Sequence, residues 1–455
     1  MFYVCQNSWK ISFSAKDVDI TEWKGDILVV GVTENDLARD SNSNFENSIL
    51  KKLDSKLGGL LAEASIEEDF SGKVGQSTVL RITGLGSKRV GVIGLGQSAS
   101  TPADFKAFGE VFATAAKSAQ ATNAAIVLAS SEGLSAQSKL SYAYAITSGV
   151  VLGIFEDNRY RSESKKPVLT SVDIIGLGSG PELDKKLKYA GDVTSGVILG
   201  RELVNSPPNV LTPGVLAEEA SKIASTYSEV FTATILNAEQ CKELKMGSYL
   251  GVAEASANPP HFVHLRYTPP SGPINVKLAL VGKAAVFGAA KALGQIKPLG
   301  VEVNNTDAEG RLTLADALVY ACNQGVEKVV DLATLTGACA VALGPTIAGV
   351  FTPNDDPAKE VLEASEVSGE KLWRLPLEES YWESMKSGVA DMKNSGSRQG
   401  GAICAALFLK QFVDEKVQWV HIDMVGPVWN YKKRSATGFG VATLVEWVLK
   451  NSSYI

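Results

Sequence analysis

Asp307 and Glu309 are carboxylates two positions apart in the run Asn304-Asn305-Thr306-Asp307-Ala308-Glu309-Gly310-Arg311. A short apolar stretch with Val301 and Val303 precedes them, and Leu312, Leu314, Ala315 and Leu318 follow at helical spacing. On a strand or turn, side chains two apart point the same way, so the pair can grip one cation cluster. Arg311, two further on, can face the same pocket and hold an anion there with its planar fork. The residues also fit a second pattern, because Thr306 and Glu309 form the T-x-x-E capping box that starts a helix. A ligand loop that also opens a helix would satisfy both.

Histidine chemistry is narrow in this chain. Only His261, His264 and His421 occur, and neither an H-E-x-x-H zinc helix nor a G-x-S-x-G nucleophile elbow is present. His261 and His264 are an odd number apart in a strand-like run, which predicts opposite faces and no paired ligand set. His421, within Trp419-Val420-His421-Ile422-Asp423, fits a satisfied core histidine on a buried strand. A hydrolytic site here must therefore rest on carboxylates, lysine or arginine. Oxygen-rich sites suit Mn, Mg or Zn paired across bridging carboxylates, with the metals activating a bound water.

Elements with alternating periodicities must position these groups. Strand-like runs at Ile27–Val32, Val90–Ile93, Ala125–Leu128 and Val172–Ile175 are interleaved with helical patterns at Asp104–Ala121 and Leu140–Phe155. A polar junction at Arg159–Lys166 predicts a surface loop. A long helix over about Leu183–Leu203 must end at Asn205-Ser206-Pro207-Pro208-Asn209, since proline cannot continue the ladder. Beyond it, strands are expected at Phe231–Leu236, Phe262–Tyr267, Lys277–Val281, Val329–Ala333 and Trp419–Asp423. Helices are expected at Ala284–Ile296, at Ala402–Val413 and in a last element ending at Trp447–Lys450. The alternation predicts an α/β fold with largely parallel sheets. It divides as a domain at 1–180, a linking helix and turn at 181–209, and a domain at 210–455. The glycine pairs Gly84-Leu85-Gly86, Gly94-Leu95-Gly96 and Gly176-Leu177-Gly178-Ser179-Gly180 predict tight strand-end turns. None completes a G-x-G-x-x-G fingerprint with an acid about twenty residues on.

A chain of 455 residues suits about two or three domains, and 45% hydrophobic with 21% charged residues is ordinary globular composition. The net charge of -6 and a pI near 5.4 argue against an electrostatic nucleic-acid partner. Cys5, Cys241, Cys322, Cys339 and Cys404 are odd in number and lack C-x-x-C spacing, which predicts reduced thiols. The longest lipid-like stretch, Ala143–Phe155, is short and broken by Thr147, Ser148 and Gly149, so no membrane span is expected. Met1–Asn7 has no basic n-region and no apolar h-region, which predicts a cytoplasmic chain. A transit segment lost upstream would make the plastid the expected address instead.

The string Asn305-Thr306-Asp307-Ala308-Glu309-Gly310-Arg311-Leu312 resembles the signature of the leucyl aminopeptidase (cytosol aminopeptidase) family of di-metal exopeptidases. Asn205-Ser206-Pro207-Pro208-Asn209, Leu280-Val281-Gly282-Lys283, Asp331-Leu332-Ala333-Thr334-Leu335-Thr336-Gly337-Ala338 and His421-Ile422-Asp423-Met424 resemble further family blocks in family order, as in a plant-like member. The resemblance implies an N-terminal macro-like α/β domain that does no chemistry and a larger C-terminal α/β peptidase domain with a mixed, mostly parallel sheet. It implies that Lys283, Asp307 and Glu309 bind two divalent metal ions (Mn, Zn or Mg). Lysine ligates only as a neutral amine, so cations and burial must lower its pKa. It further implies that Arg311 holds a bicarbonate-like anion acting as general base, and that Asn305, Thr334, Leu335 and Gly337 bind substrate. The implied substrates are peptides that lose an N-terminal residue such as leucine, and the implied assembly is a homo-hexamer.

Departures from the family pattern are as informative. In the family, Val-Gly-Lys opens a glycine-rich loop with a carboxylate ligand, the catalytic lysine and a Met-Lys-x-Asp ligand. Here Lys283 runs straight into Ala284-Ala285-Val286-Phe287-Gly288-Ala289-Ala290, and no Asp or Glu occurs from Ala284 through Val301. A strand and long loop before Asn304 are shortened to Lys297-Pro298-Leu299-Gly300-Val301-Glu302-Val303. The pattern is that of two clean excisions from an otherwise matching chain. Loss of an electrophilic group facing a developing oxyanion costs about 2.7–4 kcal/mol, roughly 10²–10³ in rate, before any loss of metal. The expectation is an aminopeptidase by descent that is impaired in this form. The rival expectation is a non-catalytic scaffold or chaperone-like subunit of the same family.

Overall fold

The computed structural model describes residues 11–161, 168–268, 276–282, 309–388 and 390–452. Lys283, Asn305, Thr306 and Asp307, the helix expected at Ala284–Ile296, Cys5 and most of the junction at Arg159–Lys166 lie outside the described residues. The chain divides into two units, Met1–Thr194 and Ser195–Ile455.

In the first unit the apolar run β2 (Ile27–Val32) is buried at every position and forms the centre of a sheet. Around it lie β1 (Ser12–Lys16), β3 (Ser77–Arg81), β4 (Arg89–Gly94), β5 (Asn123–Leu128) and β6 (Ser171–Ile175), in the order β1-β6-β5-β2-β4-β3. All pairings are parallel except the antiparallel edge strand β3. A parallel strand covered on both faces reads as a continuous apolar run, which is why β2 was visible in the sequence. On one face Ile27 and Val29 pack with Phe108 and Ile146, from α3 (Pro102–Ser118) and α4 (Ala136–Ile154). On the other, Leu28 and Val30 pack with Leu50, Leu53 and Leu61 from α1 (Ser48–Lys56) and α2 (Leu60–Glu67). Each such side chain contributes about 1.5–3 kcal/mol on burial. Close approach of α3 and α4 needs glycine, since a Cβ at Gly149 would stand 2.0 Å from the Lys106 carbonyl oxygen. Gly176, Gly178 and Gly180, at φ of +85°, +92° and +124°, form the expected turn from β6 into the long helix α5 (Pro181–Asn205).

The second unit begins within α5. Its main sheet contains β9 (Leu278–Val281), β10 (Lys328–Ala333), β11 (Ile347–Phe351), β12 (Lys371–Arg374) and β13 (Gln418–Asp423), in the order β12-β11-β13-β10-β9. Strands β9, β10 and β13 run parallel, and β11 with β12 runs the other way. One face is covered by α9 (Glu309–Asn323) and α12 (Gly401–Lys410), through Leu312, Ala315, Leu318, Phe408 and Leu409 against Val329 and Trp419. The other is covered by α11 (Asp355–Ser368) and α13 (Val441–Asn451), through Val361, Leu444 and Trp447 against Val330 and Ile422. A short helix α10 (Gly337–Leu343) follows β10. A hairpin of β7 (Phe231–Leu236) and β8 (Phe262–Tyr267) packs on α6 (Pro213–Thr226), with α7 (Ala238–Glu243) and α8 (Gly247–Ala253) between the two strands in sequence. The small pair β14 (Trp429–Asn430) and β15 (Ser435–Ala436) precedes α13. The fold is thus mixed α/β, with mostly parallel sheets. No described helix is long and apolar enough to cross a membrane.

Candidate active site

Strands β10 and β13 are apolar on one face and carry a polar stripe on the other. Parallel register sets Asp331 beside His421 and Ala333 beside Asp423. Residues two apart share a face, so Trp419, His421 and Asp423 line up along β13. Asp331, fully buried, bridges two of them: Oδ2 accepts from Trp419 Nε1 at 2.6 Å, and Oδ1 pairs with His421 Nδ1 at 2.6 Å. Burial alone would push the His421 pKa down, but the Asp331 carboxylate against the ring outweighs it and the net shift is upward. His421 is therefore only half the satisfied core histidine expected, because its buried Nε2 has no hydrogen-bond partner among the described residues. The other two histidines are separate: His264 meets the Tyr320 hydroxyl at 3.3 Å, and His261 packs beside Gly214.

At the carboxyl end of β13, Asp423 takes the Leu335 N–H at 3.1 Å and the Thr336 hydroxyl at 2.6 Å. Burial raises its pKa, against His421 and the donors that favour the charged form. The loop that it holds, between β10 and α10, contains three sequence-predicted residues. Thr334 and Gly337 are exposed, and Leu335 is half-buried. Cys339 lies beneath, its thiol pushed up to about 12 by burial and by the Asp423 charge.

Arg311 enters from α9. It is 8% exposed, and its Nη1 donates to the Asn394 carbonyl at 2.6 Å. Burial pulls its pKa down, against the opposite pull of Cys404, Asp423 and Glu309. Its buried Nε has no partner among the described residues. Leu335 reaches the same segment, since a Cβ at Gly310 would lie 3.9 Å from Leu335 Cδ1. The structure thus gathers Glu309, Arg311 and the Leu335 loop at one end of the sheet.

The spacing argument needs one correction. Glu309 is already helical, in α9, ahead of the pattern expected from Leu312. Residues two apart on a helix are about 200° apart, not on one face. Glu309 accordingly stands exposed while Arg311 is buried. The capping-box reading pairs Glu309 with Thr306, which lies outside the described residues. Lys283, Asn305 and Asp307 are outside the described residues, so Glu309 alone represents the implied metal ligands. Among the described residues no group of three or more His, Cys, Asp or Glu is placed to hold a metal ion. The anion fits better, because a buried guanidinium with an unpartnered Nε is a ready donor for a planar oxyanion. Sequence reasoning assigned no role to Asp331, Asp423 or Asn394. The alternation Trp-x-His-x-Asp on β13 was the available signal for Asp423, whereas Asp331 lies alone in the apolar run of β10.

Comparison with known proteins shows the family. The N-terminal domain profile of the cytosol aminopeptidase family matches residues 29–164, and the catalytic domain profile matches 198–290 and 293–445. Leucine aminopeptidase 2, chloroplastic, of Arabidopsis thaliana is 66% identical over 505 aligned positions, covering 98% of this chain and 87% of that protein. Leucine aminopeptidase 1 of Arabidopsis thaliana is 65% identical, covering 98% and 97%. Both alignments are longer than the chain's own 455 residues, so these relatives carry segments that it lacks. A solved structure of a tomato leucine aminopeptidase mutant superposes with a TM-score of 0.95 at 59% identity, covering 98% of each chain. With both domain profiles matched, and relatives this similar along nearly its whole length, the chain belongs to the cytosol aminopeptidase family of hydrolases.

Proposed function

We propose that this chain is built as a metal-dependent aminopeptidase releasing N-terminal residues such as leucine from peptides, and that this form is catalytically impaired. The observation that carries the first half is the meeting of Glu309, Arg311 and the Leu335 loop at one sheet end, in a chain 66% identical to a leucine aminopeptidase. In this reading Arg311 holds a bicarbonate-like anion through its unpartnered Nε, braced by the Asn394 carbonyl. Lys283, Asp307 and Glu309 would hold what they can of two divalent ions (Mn, Zn or Mg). Such ions, when bound, supply an activated water and polarise the scissile carbonyl. Thr334, Leu335 and Gly337 form the wall for the substrate's first side chain, and Asn305, outside the described residues, is proposed as a further substrate-binding residue.

Support for impairment comes from the chain itself. No Asp or Glu lies between Ala284 and Val301, and the catalytic-domain match is interrupted between 290 and 293. The purified 455-residue chain should therefore cleave leucyl-amide at no more than a trace rate with Mn added. Grafting the relatives' segments between Lys283 and Asn304 should restore turnover that Glu309→Ala abolishes. Robust metal-dependent turnover by the unaltered chain would overturn the impairment. The same missing ligands favour a second reading, a non-catalytic scaffold or chaperone-like subunit of a homo-hexamer. Relatives named chloroplastic favour the plastid as its location over the cytoplasm.

A further inference from the structure

The loop from Thr334 to Gly337 leaves β10 but is held by the neighbouring strand. Asp423, the last residue of β13, is 1% exposed and spends both carboxylate oxygens on it. Oδ1 accepts the Leu335 N–H and Oδ2 the Thr336 hydroxyl. Thr336 in turn accepts the Cys339 N–H at 3.1 Å and so starts α10. The backbone runs the same way, with Met424 N–H on the Ala333 carbonyl at 2.9 Å and the Cys339 thiol on the Asp423 carbonyl at 3.5 Å. Among the described residues no ion pair ends on Asp423, so its direct partners are neutral donors. That is the arrangement of a clamp rather than of a charge pair. Leu335 leaves the clamp toward Gly310, between Glu309 and Arg311. Any tilt of the turn therefore moves Leu335 against that segment and shifts the exposed Thr334 and Gly337 with it.

We propose that Asp423 is a positioning residue: it fixes the Leu335–Thr336 turn and thereby shapes the wall that selects the substrate's N-terminal side chain. The inference rests on the aminopeptidase reading above. Asp423 does not touch substrate in this scheme. Its two bonds decide where Leu335 stands, and a branched apolar side chain is sensitive to that position in a way that a methyl group is not.

The test uses the full chain with Asp423→Ala, Asp423→Asn and, as a control for general loosening, Val361→Ala in the opposite-face core. Two quantities are read: amide hydrogen exchange across residues 333–340, and the ratio of affinities for free leucine and alanine by calorimetry. D423A should speed exchange at Leu335 and Thr336 by about tenfold. It should also lower the leucine-to-alanine ratio by about fivefold. D423N should recover part of each, because its amide oxygen still accepts the Leu335 N–H. V361A should leave both at the wild-type level. A D423A protein whose exchange and ratio match V361A overturns the proposal. A wild-type chain that binds neither amino acid overturns the selecting role in this form, while the aminopeptidase reading is judged separately by turnover of the grafted chain. Faster exchange in D423A would then still support the clamp itself.

Discussion

Asp316 on α9 is wholly buried, with Oδ2 on the Tyr249 N–H at 2.7 Å and Oδ1 without a partner among the described residues. Burial pushes its pKa from 3.8 to about 6, against the backbone bonds that favour the anion. A carboxyl whose folded pKa is raised binds its proton more tightly in the folded state. Stability is therefore highest below pH 3.8 for this group and declines as pH rises through about 6, costing on the order of 2–3 kcal/mol at pH 8. Asp316→Asn keeps the acceptor for Tyr249 and removes the charge. Its melting temperature relative to wild type should rise between pH 5 and pH 8, by the equivalent of about 1.4 kcal/mol. A difference independent of pH would show that Asp316 is not the titrating group. Asp316 was hidden within an ordinary helical pattern, because nothing local marks which polar position of a helix will face the core. Glu309 and Arg311 were visible as a string, yet their directions were not, since the same spacing means one face on a strand and opposed faces on a helix. Asp423 stood in plain view at the end of a strand, but its partners are 87 and 88 positions away.

Helix α13 illustrates how an element depends on a residue from another. Glu370 is buried, and its carboxylate accepts from Gly440 N–H and Thr443 N–H at 3.1 Å each and from the Thr443 hydroxyl at 2.6 Å. These are the donors that a helix start leaves unsatisfied, and the negative charge also suits the positive end of the helix dipole. Glu370→Ala should destabilise the second unit by about 2–3 kcal/mol, with Glu370→Gln losing less. Denaturant titration measures both, and equal losses would show that the charge is irrelevant. Strands β2, β5, β10 and β13, mostly buried on both faces, fall within two residues of the expected bounds, and the partly exposed hairpin strands Phe231–Leu236 and Phe262–Tyr267 match them. Strands β1, β3 and β12 were not anticipated. Edge strands carry polar residues and lack the continuous apolar run that betrays a central one. Strand β11 was missed for another reason, since Ile347-Ala348-Gly349-Val350-Phe351 contains a glycine that reads as a break. That glycine is required, because a Cβ there would stand 2.8 Å from Cys339 Sγ.

At the scale of the whole molecule, each unit has its own core, and the division runs through α5, within the span 181–209 expected to link the domains. Leu183 and Leu187, from the first turns of α5, pack in the cluster with Val172, Ile174 and Leu177. A fragment ending at Thr194 should therefore unfold in one cooperative transition. A fragment ending at Gly180 should be less stable by about 3–5 kcal/mol, the loss of two buried leucines. Calorimetry on the two fragments decides, and equal stability would put the first unit's boundary at the end of β6. The outermost strands have a consequence for how copies of this chain meet in solution. The β1 edge ends in Lys16, paired with Asp173, the β3 edge in Arg81, and β12 is flanked by Lys371 and by Arg374, paired with Asp355, all exposed. Pairing of like edges from two copies would strip water from these charged side chains and their ion pairs. Charged side chains at the strand ends thus guard the open backbone against edge-to-edge aggregation, while the net negative charge keeps whole molecules apart.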